Sequence, residues 1–192
     1  MLKLAVFISG GGTNLQALID ACRSKLINAE IKAVISNNSK AYGLQRAKNA
    51  GIDTFHISKV KYPDVDKLAS VTLEVMEQFD IDLIVLAGYM KLLPTVIVKK
   101  YHGRIINIHP ALLPKYGGKG MYGMNVHKAV IESGDRYSGA TVHLVDEQYD
   151  KGVILIQRRV PVKDDDTPES LAARVLKVEH KILPMAVSLF IK

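Results

Sequence analysis

The chain has 192 residues, 48% of them hydrophobic and 23% charged, with no tryptophan, a size and balance suited to one domain over 1–192 that buries its core without disulfide staples. A single cysteine, Cys22, excludes an internal disulfide framework and a cysteine-built zinc site, and no run approaches the roughly 20 apolar residues of a membrane span. Lys and Arg outnumber Asp and Glu by 26 to 19, a formal charge of +7, yet the cations form no run of five, which suits small phosphorylated or carboxylate-rich ligands better than a nucleic-acid face.

Met1–Ile8 runs into a glycine turn rather than a small-residue cleavage site, so it reads as a strand and not a signal peptide, and a reducing, cytoplasmic setting is expected. Strand-like runs follow at Leu4–Ser9, Ile31–Ser36, Thr54–Ile57, Leu83–Ala87, Arg104–Ile108, Ala140–Val145 and Ile154–Val160. Between them Asn14–Lys25, Ala41–Ala50, Asp64–Phe79 and Val126–Ser133 carry helical periodicity. A last helical stretch, Glu169–Ile191, starts behind Asp166-Thr167-Pro168 and is expected to break near Pro184. Strands alternating with helices predict an α/β fold with a mainly parallel, Rossmann-like sheet of seven strands and helices on both faces. The first five strands read as apolar on both faces, as such a sheet requires. Pro110–Gly123 is the one long irregular stretch, with four glycines.

Ser9-Gly10-Gly11-Gly12-Thr13-Asn14 follows the first strand and opens a helix. Glycines admit a ligand to the backbone, and the free amides of a helix start favour an anion, so the turn suits a phosphate; Thr13 or Asn14 would cap the helix. The turn is not G-x-G-x-x-G, and the second strand ends in Ser36-Asn37-Asn38 without an acid for a ribose diol. Nor is it a P-loop.

Arg104-Ile105-Ile106-Asn107-Ile108-His109-Pro110 is the most informative stretch. Residues two apart in a strand share a face, so Asn107 and His109 project together at the strand's carboxyl end, where open α/β sheets place their ligands. An amide donor beside an imidazole can stabilise an oxyanion and move a proton. Three carboxylates, Asp146, Glu147 and Asp150, lie in the loop before the last strand.

These pieces together resemble the folate-dependent formyltransferases, and within them the glycinamide ribonucleotide branch. The likeness is carried by Ile8–Gln16, Leu86–Met90, Asn107–Tyr116, Thr141-Val142-His143, Asp150-Lys151-Gly152 and Glu179-His180. The resemblance implies transfer of the formyl group of 10-formyltetrahydrofolate, a co-substrate, to the amine of 5-phosphoribosylglycinamide in purine biosynthesis. It implies that Asn107, His109 and Asp150 are catalytic, with Asn107 and a protonated His109 on the oxyanion and Asp150 paired to His109. Gly12, Thr13 and Asn14 would hold the substrate phosphate and Glu179 the ribose hydroxyls. Met90, Lys91, Leu92 and Leu93 would line the pterin site, closed on its other side by Asn107 and by Asp146, Glu147, Gln148, Tyr149 and Asp150. No metal, nucleic-acid or membrane partner is implied, and the chain would act as a monomer or homodimer.

The chain departs from that family at Val65, where an arginine often faces the folate's glutamate tail; Lys61 or Lys67 would then serve as a point charge. Lys177-Val178 before Glu179 is also not the commonest version. His56, His102, His127 and His180 read as surface or satisfied core residues, His143 as possible support for the site, and Cys22 as core. A formyltetrahydrofolate hydrolase and a methionyl-tRNA formyltransferase fit less well, since each is expected to carry an additional domain. A basic nucleotide- or nucleic-acid-binding module would leave Asn107, His109 and Asp150 unexplained.

Overall fold

In the computed structural model, which describes residues 1–147 and 150–191, the apolar runs pair into one sheet. Its strands are β1 (Leu2–Ile8), β2 (Ala29–Ser36), β3 (Asp53–His56), β4 (Leu83–Leu86), β5 (Ile105–His109), β6 (Tyr137–Leu144) and β7 (Ile154–Pro161), in the order β3-β2-β1-β4-β5-β6-β7. β1 to β5 run parallel, while β6 is antiparallel to β5 and β7 to β6. Six helices connect them: α1 (Thr13–Arg23), α2 (Tyr42–Asn49), α3 (Val65–Gln78), α4 (Thr95–Lys100), α5 (Met124–Glu132) and α6 (Pro168–Ser188).

The period of two along each strand splits the core. In β1, Leu4, Val6 and Ile8 join Leu15, Leu18, Val175 and Leu183 of α1 and α6 on one face, while Ala5 and Phe7 join Leu68, Met76 and Ile97 of α3 and α4 on the other. Both faces are buried because helices cover both; truncating a fully buried leucine such as Leu18 costs about 2–5 kcal/mol. β3 departs from the expectation: it is the sheet edge, exposed at Asp53 and only half-buried from Thr54 to His56.

Three further expectations are corrected. α4 escaped the reading because Thr95-Val96-Ile97-Val98 is β-branched and only Ile97 and Val98 bury. α1 is capped by Gly12, not by Thr13 or Asn14, which are its first two residues. α6 does not break at Pro184 but runs on to Ser188. An internal proline costs about 3 kcal/mol, but Pro184 and its neighbours Ile182, Leu183, Ala186 and Val187 are all buried, and that packing outweighs it. The start of α6 is as expected: Thr167 accepts from the Ser170 amide in a capping box, with proline in the first turn. No helix among the described residues is long and apolar enough to cross a membrane.

The sheet order puts the functional end in a defined place. From β1 the chain winds outward to β2 and β3, then returns to the other side of β1 with β4 and β5. The carboxyl ends of β1 and β4 therefore diverge at a topological switch point, where such sheets leave a crevice.

Candidate active site

A cleft of about 540 Å³ opens at that switch point, lined by two polar groups: Asn14 with Glu179, and Asn107 with His109, His143 and Asp150. The glycine turn that precedes Asn14 sets the first group. Gly12 is left-handed at φ 70°, and a Cβ on it would lie 2.6 Å from the Gly43 Cα, so α2 packs directly on the turn. The Gly43 amide donates to the Gly10 carbonyl at 3.0 Å, and Arg46 Nε donates to the Gly11 carbonyl at 2.8 Å. Both carbonyls are thereby tied to α2. Gly12 brings no side chain to cap the first amides of α1, and such amides suit an anion.

Asn14 and Glu179 are each only 7% exposed, and Asn14 Nδ2 donates to Glu179 Oε2 at 2.7 Å. Burial pushes the Glu179 carboxyl above its ordinary range, against the Asn14 hydrogen bond that pulls it down. Asn14 Oδ1 is buried and finds no partner among the described residues. Ala172, Leu176 and Glu179 of α6 face the cleft from one stripe of that helix. Gly12 and Thr13 sit half-buried behind Asn14 rather than in the cleft wall.

The second group hangs on β5. Asn107 and His109 share a strand face and lie opposite His143 and Thr141 of β6. His143 Nδ1 donates to the Leu144 carbonyl at 2.8 Å, and its Nε2 accepts from Asn107 Nδ2 at 3.1 Å. One amide hydrogen of Asn107 is so used, and the second has no partner among the described residues. His109 Nε2 donates to the Tyr116 carbonyl at 2.8 Å, and its Nδ1 stands 3.8 Å from Asp150 Oδ2. Asp150 also lies 3.5 Å from His143 Nε2 and accepts from the Gly118 amide at 2.9 Å.

The electrostatics depart from the expectation of a charged ring. Burial drives the His109 pKa below its usual value; Asp150 and the Tyr116 carbonyl pull it up, and nearby His143 adds to the lowering. The resting ring is neutral. Burial would raise the Asp150 carboxyl, but His143, the Gly118 amide and the nearness of the His109 ring outweigh it and hold it below the ordinary range.

The apolar wall comes from the segment after β4. The Ser9 amide donates to the Gly88 carbonyl at 3.1 Å, and the Met90 amide donates to Ser9 Oγ at 2.9 Å, so β1 fixes where Met90–Leu93 runs. All four of these residues line the cleft, with Leu93 buried and Met90 and Leu92 about half exposed. Asp146 and Glu147 also line it, Glu147 lying 3.8 Å from Lys99. Gln148 and Tyr149 lie outside the described residues. Val65 begins α3 on the surface, and neither it nor Lys61 or Lys67 lines the cleft; Lys91 and Lys119 do.

The structure thus brings Asn107, His109 and Asp150 together, and places Asn14, Glu179, Met90–Leu93, Asp146 and Glu147 around the same cleft. Sequence reasoning underrated His143, which holds Asn107, and misread His127. His127 is buried in the cleft wall, its Nδ1 without a partner among the described residues, and burial and the neighbouring His109 lower its pKa. His180 is half-buried, and its buried Nε2 has no partner among the described residues. The signal for His143 was its strand parity opposite Asn107; for His127 there was none, because its place depends on how α5 docks. Cys22 is core-packed as expected, its thiol pushed up to about 11 by burial and Glu30, and so inert.

The family of this architecture is shown by comparison: the formyl transferase profile matches residues 2–187, and the chain belongs to that family, enzymes that transfer one-carbon groups. It is 43% identical to the phosphoribosylglycinamide formyltransferase of Haemophilus influenzae over 190 residues, 99% of this chain and 87% of the relative. The chloroplastic phosphoribosylglycinamide formyltransferase of Arabidopsis thaliana is 46% identical over 94% of this chain, which spans 62% of that longer relative. The crystal structure of glycinamide ribonucleotide transformylase 1 from Symbiobacterium toebii matches with a TM-score of 0.92 at 40% identity, over 99% of this chain and 87% of that one.

Proposed function

We propose that this chain is a phosphoribosylglycinamide formyltransferase, moving the formyl group of 10-formyltetrahydrofolate to the amine of 5-phosphoribosylglycinamide in cytoplasmic purine biosynthesis. The observation that carries the reading is one cleft lined by two chemically distinct groups: an amide, two imidazoles and a carboxylate on β5, β6 and the loop after β6, and a buried Asn14–Glu179 pair beside an uncapped helix start. Related enzymes named for this reaction share the fold.

The ribonucleotide's phosphate fits the amides at Gly12–Asn14 and the Thr13 hydroxyl, with Glu179 accepting from ribose hydroxyls. The flat pterin fits beside Met90–Leu93 and the loop residues Asp146, Glu147 and Asp150, with Met90, Leu92, Leu93 and Val145 as apolar wall and backbone polar groups to grip its edge. The amine then attacks the formyl carbon; a new C–N bond forms, and charge gathers on the formyl oxygen. Asn107 meets that oxygen with its second amide hydrogen. His109, neutral at rest, takes up a proton on Nδ1 as negative charge grows beside it, with Asp150 ionised to balance the imidazolium. That proton comes from the attacking amine and is passed on, with Asp150 relaying through water, to the departing folate nitrogen as the formyl–folate C–N bond breaks. Losing one oxyanion donor from such a site costs about 3–4 kcal/mol of barrier.

A spectroscopic assay with formyl-folate, run with and without 5-phosphoribosylglycinamide, tests this. Folate product forming only with the amine present is the expected result. Equal release without it would make the chain a hydrolase.

A further inference from the structure

Three consecutive residues touch both members of the His109–Asp150 pair. The Tyr116 carbonyl accepts from His109 Nε2 at 2.8 Å, and the Gly118 amide donates to Asp150 Oδ2 at 2.9 Å. Between them Gly117 presses so closely that a Cβ there would stand 3.2 Å from Asp150 Cβ and 2.6 Å from Leu113 Cδ2. The backbone is bent to make these contacts. Tyr116 and Asp150 sit in the left-handed region, at φ 57° and 53°, which residues bearing side chains hold only where their surroundings enforce it.

What enforces it at Tyr116 is its own ring. The phenol donates to Asp135 Oδ2 at 2.6 Å and is hydrogen-bonded to Ser133 Oγ. Lys115 Nζ grips the same Asp135 carboxylate at 2.5 Å and lies 5.2 Å from the centre of the Tyr116 ring. Ser133 and Asp135 belong to the turn between α5 and β6, so the anchor is set by the scaffold and not by the loop itself.

We propose that the Tyr116 phenol, moored on Asp135 and Ser133, is a positioning device for the His109–Asp150 pair: it fixes the Tyr116–Gly118 segment, and through it which nitrogen of His109 carries the resting proton. Tyr116 is a positioning residue, since its side chain faces away from the cleft chemistry and acts through its carbonyl. The inference rests on the reading that His109 and Asp150 carry the transfer. The charged or titrating groups facing His109 are Asp150, which favours the imidazolium, His143, which opposes it, and His127, whose own pKa His109 helps to lower. The Tyr116 carbonyl sides with Asp150, so releasing it leaves the ring harder to protonate.

The test is a histidine-nitrogen NMR titration alongside steady-state kinetics, on wild type, Tyr116→Phe, Asp135→Ala and Asp135→Asn. In Tyr116→Phe the His109 midpoint moves down by about half a pH unit or more. Its kcat falls roughly 10- to 100-fold while both KM values stay within about twofold. Asp135→Ala behaves likewise, and it carries the test alone should Tyr116→Phe lose its fold. Asp135→Asn keeps an acceptor for the phenol and stays near wild type. A His109 midpoint and tautomer unchanged in a folded Tyr116→Phe or Asp135→Ala overturns the proposal, whatever the activity. A shifted midpoint with unchanged kcat upholds the positioning and instead removes His109 from the chemistry.

Discussion

The two polar groups of the cleft differ in how far they are satisfied. Around His109, Asn107 bonds to His143, His109 to the Tyr116 carbonyl, His143 to the Leu144 carbonyl and Asp150 to the Gly118 amide, and of the wall histidines only His127 keeps a buried nitrogen without a partner among the described residues. In the other group Glu179 is buried with a single hydrogen bond, and Asn14 Oδ1 has none among the described residues. A buried polar group without a partner costs about 1–3 kcal/mol, which a fold retains where a ligand will supply the missing contact. The densely bonded group suits side chains that must not move as charge develops; the less satisfied group suits recognition.

That contrast can be broken most sharply in the group around His109. His109→Ala and Asn107→Ala should each lower kcat by about a hundredfold or more, with circular dichroism unchanged and the KM for the ribonucleotide little altered. Near-normal turnover in either variant would remove it from the oxyanion. Glu179→Gln should raise the KM for the ribonucleotide roughly tenfold while sparing that for the folate. The same change should stabilise the free protein at pH 8 by about 1 kcal/mol, since a buried carboxylate becomes a neutral amide that can also donate to Asn14 Oδ1. A thermal melt showing Glu179→Gln less stable than wild type would contradict the picture of an undersatisfied Asn14–Glu179 pair. Thr13→Ala should raise the ribonucleotide KM by a smaller factor, roughly fivefold, again without effect on folate; equal effects on both would refute the phosphate assignment.

The smallest effect concerns pH and stability. His109, His127 and His180 all have folded pKa values below the ordinary 6.5, chiefly through burial. The unfolded chain therefore binds more protons in that window, so stability is full above pH 6.5 and drains away as pH falls through it towards the folded values. Glu179 works the other way, its raised pKa relieving a penalty as it protonates. Denaturant midpoints should fall from pH 7.5 to pH 5.5, and fall more steeply in Glu179→Gln. A flat profile would mean that the histidines titrate normally in the fold.

Much of this was legible before the fold. The alternation of apolar strands with helices follows from local chemistry, and the parity of Asn107 and His109 survived because β5 extends through His109. The turn at Gly10–Gly12 was marked by residues that only a close backbone approach requires. What was hidden depends on tertiary packing. α4 is a β-branched run made helical by its buried face, and Pro184 is carried by the packing of its neighbours. The partners that tune His109, a carbonyl seven residues on and a phenol anchored nearly twenty residues further, follow from no spacing rule. The neutral resting state of His109 was equally out of reach, because it comes from burial outweighing a carboxylate.

The division of labour between the two groups is tested most directly by calorimetric titration of 5-phosphoribosylglycinamide into wild type, Asn107→Ala and Glu179→Gln. The account predicts that Asn107→Ala binds within about twofold of wild type while Glu179→Gln loses roughly tenfold in affinity. Equal losses in both, or a loss confined to Asn107→Ala, would contradict it.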